Sequence, residues 1–147
     1  MEYPTRHGTV LIDEGDLPIW NSFPWVTMSG KGRLYVVTGR GILLHRVILG
    51  ASPGQIVDHA NGNGLDNRRQ NLRFCSHSQN MANRKKTANS ASIYLGVFAS
   101  REKWRAQLSK NGIKKQLGCY ATQEGAARAY DAAARIYHGE FARLNFT

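Results

Sequence analysis

Long apolar runs are missing from this chain. No stretch approaches the ~18 residues that a membrane-spanning helix needs, so an integral α-helical membrane protein is not expected. Cysteine is nearly absent too: Cys75 and Cys119 stand alone, without a C-x-x-C pair. That speaks against a thiolate zinc cage and a disulfide scaffold, and leaves two thiols in a reducing compartment. Acidic side chains are the third shortage. Ten Asp and Glu stand against 20 Lys and Arg, for a formal charge of +10. Such an excess implies an acidic partner, nucleic acid before a membrane surface. The near-terminal "NFT" fits a glycosylation acceptor, but no secretory signal peptide is read at the start and the match carries no weight. The expectation is a soluble, intracellular protein with no membrane and no protein partner implied.

What is present suffices for a core: 41% of the 147 residues are apolar, in a chain long enough for one ordinary domain or two small ones. The charge is uneven. Residues 1–44 carry four basic and four acidic side chains, 45–90 carry seven against two, and 91–147 carry nine against four. The middle and the C-terminal end should therefore face the polyanion. In the first segment "TVLID", "PWVTM" and "RLYVVT" are β-branched and aromatic runs between turn residues, and read as strands of a small sheet. "ILLHRVILG" suits a strand or a two-turn helix; Gly50, where a C-cap would stand, favours the helix. "SQNMANRKK" reads as a helix N-capped by Ser78, its basic cluster at the negative end of the dipole.

Residues 87–92, "TANSAS", read as a polar linker. Beyond it "YLGVFAS", "KWRAQLS" and "KKQLGCY" predict three strands, the last two joined by the hairpin signal "KNGI". Along the second, Trp104, Ala106 and Leu108 face one way, and Lys103, Arg105, Gln107 and Ser109 the other. "TQEGAARAYDAAARIYHG" predicts a helix N-capped by Thr122 and stopped by Gly139. Its apolar face comprises Ala126, Ala129, Tyr130, Ala133 and either Ile136 or Tyr137. Small Ala side chains let such a helix lie close on the Trp104 face and leave the basic face open.

The densest polar stretch is "QIVDHANGNGLDNRRQNLRF", residues 55–74. It reads as a strand, an Asn-Gly turn and a returning strand, which with the helix after Ser78 makes a strand–turn–strand–helix unit. Asp58 and His59 end the first strand, Asn71 begins the second and Asn80 lies on the helix. A carboxylate and an amide carbonyl are hard oxygen ligands suited to Mg²⁺ or Mn²⁺ rather than Zn²⁺. A calcium loop fails, because Ala60 and Gly62 fall where ligands are required. His59, with an unperturbed pKa of ~6.5, is mostly neutral at pH 7 and suited to act as a general base. On composition and spacing alone, a solvated polar hairpin accounts for these residues equally well.

The motif resembles the HNH homing endonucleases of phages and introns. The resemblance lies in "LHRVILG", "VDHANGNGLDNRRQNLR" and "HSQNMANR", with an Asn twelve residues after His59 and a second nine further on. It implies His59 as general base, Asp58 and Asn80 as ligands of one divalent ion, and Asn71 as a brace that orients His59. The reaction implied is phosphodiester hydrolysis leaving 5′-phosphate and 3′-hydroxyl ends. Arg46, Arg68, Arg69, Arg84 and Lys85 are candidate DNA contacts by charge. His77 is expected to be solvated at the helix start, and His45 belongs to the family pattern without an assigned chemistry.

Residues 93–146 resemble the plant ethylene-response-factor (APETALA-type) DNA-binding domain, in "YLGV", "KWRAQL" and "LGCYATQEGAARAYDAAARIYHGEFARLNF". That family lays its sheet in the major groove. Here Leu95, Phe98, Gln107, Ser109 and Gln116 replace family contact residues, so the plant sequence preference does not transfer. Lys103, Arg105 and Lys114 suit phosphate contacts, and Gln107 and Gln116 suit adenine.

The reading is an α+β chain: a small N-terminal sheet leading into a ββα-metal HNH module over residues 1–86, then a three-stranded antiparallel sheet on one helix over 93–147. It is expected to be a Mg²⁺- or Mn²⁺-dependent endonuclease acting on double-stranded DNA, phage or mobile-element in type and placed in the host cytoplasm if phage-encoded. A catalytically silent DNA-binding regulator and an RNA-directed protein are the alternatives.

Overall fold

Apolar alternation and turn chemistry assemble the chain from hairpins. The computed structural model describes residues 1–30, 33–84 and 91–146. The chain divides into two units, Met1–Ser76 and His77–Thr147.

In the first unit β1 (Glu2–Thr5) pairs antiparallel with β2 (Gly8–Leu11). Helix α1 (Leu17–Asn21) follows, with Pro18 in its first turn where no N–H is needed. β3 (Trp25–Gly30) pairs with β4 (Arg33–Thr38), α2 (Leu44–Ile48) runs before Gly50 at φ +61°, and β5 (Ile56–His59) pairs with β6 (Leu72–Cys75). The early strands thus form two separate two-stranded ribbons rather than the single small sheet that was expected. The reason is a competitor for the edge of β2. Leu11 donates to Leu65 O at 2.9 Å and accepts from Asn67 N at 2.8 Å, so a distant loop takes the position a third strand would fill. The ribbons and α2 meet through side chains in one core of Val10, Ile12, Val36, Leu44, Ile48, Val57, Leu65 and Leu72.

The second unit begins with α3 (His77–Ala82). β7 (Val97–Ser100), β8 (Lys103–Lys110) and β9 (Ile113–Tyr120) form an antiparallel sheet in that order, and α4 (Gln123–His138) packs on it. Asn111 and Gly112, at φ 53° and 81°, make the tight turn that "KNGI" signals. Thr122 Oγ1 caps α4 by accepting Gly125 N at 3.1 Å. Trp104, Ala106 and Leu108 point at α4, where Ala126, Ala127, Ala134 and Tyr130 are buried, while Ile136 is 80% exposed and Tyr137 takes the inward place. Gly96 is obligatory: a Cβ there would lie 2.1 Å from the Tyr130 ring. The tail "RLNF" is locked by buried Asp131, whose carboxylate accepts Asn145 N and Phe146 N at 2.9 Å each, while Asn145 spans to Leu95.

Candidate functional site

β5 is apolar until its last two residues, which the ladder sets opposite β6 as Asp58↔Arg73 and His59↔Leu72. Both Asp58 and His59 are buried. Arg73 donates from Nε and Nη2 to Asp58 at 3.2 and 3.1 Å, both bonds falling on the one oxygen Oδ2.

The loop between the strands is a dense hydrogen-bonded unit. Asn71 reaches across it: Nδ2 donates to Asp66 O at 2.7 Å, Oδ1 accepts Asn61 N at 3.0 Å, and its carbonyl accepts Ala60 N at 2.8 Å. Asn61 and Asn63 turn the chain by accepting, on their side-chain oxygens, the N–H two residues on. Asp66 is gripped by Arg68 through two bonds of 2.8 Å, which holds its carboxyl below the usual range. A Cβ on Gly64 would sit 2.0 Å from the Leu34 carbonyl, so the loop lies directly on β4 and only glycine fits.

His59 Nε2 lies 3.4 Å from Asn67 Oδ1. Its ring meets His45 edge-on, with centroids 4.8 Å apart, and Tyr35 at 6.2 Å; Tyr35 also lies 5.9 Å from His45. Burial pushes the His59 pKa below its ordinary value, against the raising effects of Asn67, Asp58 and Asp66, and the charge of Arg33 lowers it further. Burial, then His59 and Arg46, push His45 down to about 3. Both rings are neutral at pH 7. A neutral imidazole can take a proton on the ring nitrogen that carries no hydrogen.

Asn80 is carried by α3 in the second unit, half-buried, and His77 opens that helix exposed. Among the described residues no three His, Cys, Asp or Glu side chains cluster as a metal cage. Asp58 offers a buried carboxylate and Asn80, in the other unit, a half-buried amide; each is a hard oxygen donor of the kind that Mg²⁺ or Mn²⁺ takes. They do not fit zinc.

The basic candidates separate by environment. Arg46 donates to the carbonyls of Gln55, Ser52 and Ala51 and closes the turn after α2. Arg69 forks onto buried Asp16 at 2.6 and 3.1 Å, and its own N–H is accepted by Asp13. Arg84 touches Met81 Sδ at 3.5 Å; Lys85 lies outside the described residues. On the sheet the register puts Phe98, Arg105 and Cys119 in one row, Gln107 opposite Gln116, and Ser109 opposite Lys114. A bulge after Ala106 absorbs one residue of β9, so Gln116 and Cys119 share a face despite being three apart. Lys103, Arg105, Gln107, Lys114 and Gln116 therefore line the face away from α4.

Sequence reasoning missed Asn67 and Tyr35 as neighbours of His59, and Arg33 as a charge that acts on it. Asn67 carried a signal, standing within the polar stretch itself. Tyr35 and Arg33 lay in an ordinary strand pattern and carried none.

A family model described as HNH endonuclease matches residues 43–82, the span that holds Asp58, His59, Asn71 and Asn80. An uncharacterized HNH endonuclease of Acanthamoeba polyphaga mimivirus is 33% identical over 135 residues, covering 87% of this chain and 70% of the relative. An AP2/ERF and B3 domain-containing protein of Oryza sativa subsp. japonica is 40% identical over 60 residues, covering 40% of this chain and 16% of the rice protein. No helix among the described residues is long and apolar enough to cross a membrane.

Proposed function

The chain belongs to the HNH endonuclease family, and from that premise we propose that it hydrolyses phosphodiester bonds of double-stranded DNA with one divalent ion, Mg²⁺ or Mn²⁺. The observation that carries the reading is the pair at the end of β5: a buried neutral imidazole directly beside a buried carboxylate, in a loop that hydrogen bonds hold in place.

The His59 imidazole takes a proton from water as the water oxygen bonds to phosphorus. The P–O3′ bond breaks, and the 3′-oxygen leaves with the bonding pair and is protonated by solvent. The products are a 5′-phosphate and a 3′-hydroxyl. Asp58 and Asn80 would hold the ion, which supplies Lewis-acid stabilisation of the charge on the leaving oxygen. Asn71 acts at one remove, keeping residues 60–66 against β4 and hence His59 in its orientation. Residues 93–146 would place the enzyme on DNA in the manner of an ethylene-response-factor domain, with Lys103, Arg105 and Lys114 on phosphates and Gln107 and Gln116 on bases. The division into residues 1–86 for cleavage, 87–92 as linker and 93–147 for placement belongs to the same proposal, as does a homing-type role in a phage or mobile element. Arg46 and Arg69, committed to carbonyls and to Asp16, are better assigned to holding the fold than to DNA.

The test is cleavage of supercoiled plasmid DNA in Mg²⁺, Mn²⁺ or EDTA by wild type, His59→Ala and Asn80→Ala. We expect metal-dependent nicking or linearisation, reduced about 10³-fold without the base, with duplex binding retained. Cleavage by His59→Ala at the wild-type rate would remove the assignment. Duplex binding without any cleavage by the wild type would favour a silent regulator.

A further inference from the structure

The second unit contains a cavity of about 630 Å³ that the chemistry above does not use, of a size that takes a small ligand. The residues that line it run from His77 to His138, all inside that unit. It lies where β8 outruns its partner. β7 pairs with β8 only over Lys103–Ala106, whereas Gln107, Leu108 and Ser109 line the cavity. Across from them stand His77, Ser78, Met81 and Ala82 of α3, which Ser78 Oγ ties to the β8–β9 turn by accepting Asn111 N at 3.1 Å.

The lining narrows the ligand. Among its described residues there is no Asp or Glu, while Lys114 is present, so the charge suits an anion. Met81, Phe98 and Tyr130 supply thioether and aromatic surface on which a flat ring can lie. Met81 and Phe98 remain 45% and 41% exposed, apolar area left for a ligand to cover. Gln107 adds an amide whose donor and acceptor match the edge of a nucleobase. Gln107 and Lys114 also belong to the face away from α4, so the cavity continues the surface assigned to DNA. A flat ring, a polar edge and an attached anion together describe a nucleotide. A base inside a duplex cannot enter, because its neighbours cover its faces and its partner covers its edge.

We propose that this cavity holds one unstacked nucleotide of the bound DNA, its base against Met81 and Phe98, the Gln107 amide on the base edge and Lys114 on the adjoining phosphate. This rests on the reading of the sheet face as the DNA-binding surface. It adds a second mode of recognition. Phosphate contacts hold any duplex, whereas a cavity rewards a duplex that gives up a base at this point.

The experiment measures affinity by fluorescence anisotropy for a short perfect duplex and for the same duplex with one extrahelical adenine, in EDTA so that nothing is cut. We expect wild type to prefer the extrahelical form by about tenfold. Met81→Asp, which sets a carboxylate against the nucleotide, should lose the preference, and Met81→Leu should keep it. Equal affinity of wild type for the two duplexes, or an undiminished preference in Met81→Asp, overturns the proposal and leaves the sheet reading intact. Binding of the extrahelical form alone supports the cavity and removes the reading of the sheet as a holder of intact duplex. Binding of neither removes both. A second arm needs no variant: the methionine methyl groups are followed by NMR. The Met81 signal should shift saturably with the extrahelical duplex and little with the perfect one, with Met1 and Met28 of the first unit as reference. A Met81 signal that responds alike to both duplexes, or to neither, overturns the proposal.

Discussion

Arg68, Arg69 and Arg73 in the first unit meet carboxylates at 2.8, 2.6 and 3.1 Å, whereas Lys103, Arg105 and Lys114 in the second form no ion pair among the described residues. Each unit is rich in basic residues, but they stand in different surroundings. In the first, a guanidinium fork satisfies a carboxylate that is otherwise buried, as with Asp16, which is 1% exposed. In the second, the packing of Trp104, Leu108 and the alanines of α4 makes the fold, and charge is left over on the opposite face. The same +5 excess in residues 45–90 and 91–147 therefore has two physical meanings. Net charge locates a polyanion-facing region only where the cations are not already partnered.

The largest contrast between the units should appear in acid. His45 is neutral in the fold with a pKa of about 3, against 6.5 when exposed. Unfolding then takes up a proton at any pH between these values. Stability from this group is complete above pH 6.5, falls by about 1.4 kcal/mol per pH unit below it, and levels off near pH 3. Hydrogen exchange should show residues 36–48 losing protection as pH drops from 6.5 to 4.5, and His45→Phe should lessen that slope. An identical slope in the variant would show that His45 is not the source.

A smaller effect separates partnered from unpartnered cations. Arg69→Ala leaves Asp16 buried without its fork and should destabilise the first unit by about 1–2 kcal/mol, less than a fully buried pair because the Arg69 side chain is 54% exposed. Lys103→Ala should lie within about 0.5 kcal/mol of wild type by chemical denaturation. Equal losses for the two would break the distinction.

The smallest effect on stability belongs to the sheet face, whose consequence lies in binding. Replacing Lys103, Arg105 and Lys114 together by Ala should leave the melting temperature nearly unchanged. The slope of log affinity for duplex DNA against log salt should flatten by about two to three units. An unchanged slope would move the DNA to another surface.

Legibility from sequence tracked the range of the interactions. Thr122 and Gly139, the Asn111-Gly112 turn and the alternation of β8 act over a few residues and were readable. The spacing of Asp58, His59, Asn71 and Asn80 likewise made the family resemblance readable, and the family model matches the span around them. The ribbons β1–β2 and β3–β4 were read as one sheet because strand patterns do not say which edge a loop will occupy. Arg69 looked like a DNA contact because its sign was visible and Asp16, 53 residues away, was not. Tyr35 comes to His59 only through packing of β4 on the loop around Gly64, a contact between segments that share no local pattern.

The bonds from Leu11 to Leu65 and Asn67 also bear on transplantation. The matched stretch starts at residue 43, yet the loop inside it is stitched to a strand near the chain's start and to Asp13 and Asp16 just beyond. A peptide of residues 43–82 would retain every residue of the motif and lose the frame that gives them a shape. The heritable unit of this nuclease is thus larger than its signature, and a graft into another protein would have to bring the opening hairpin along.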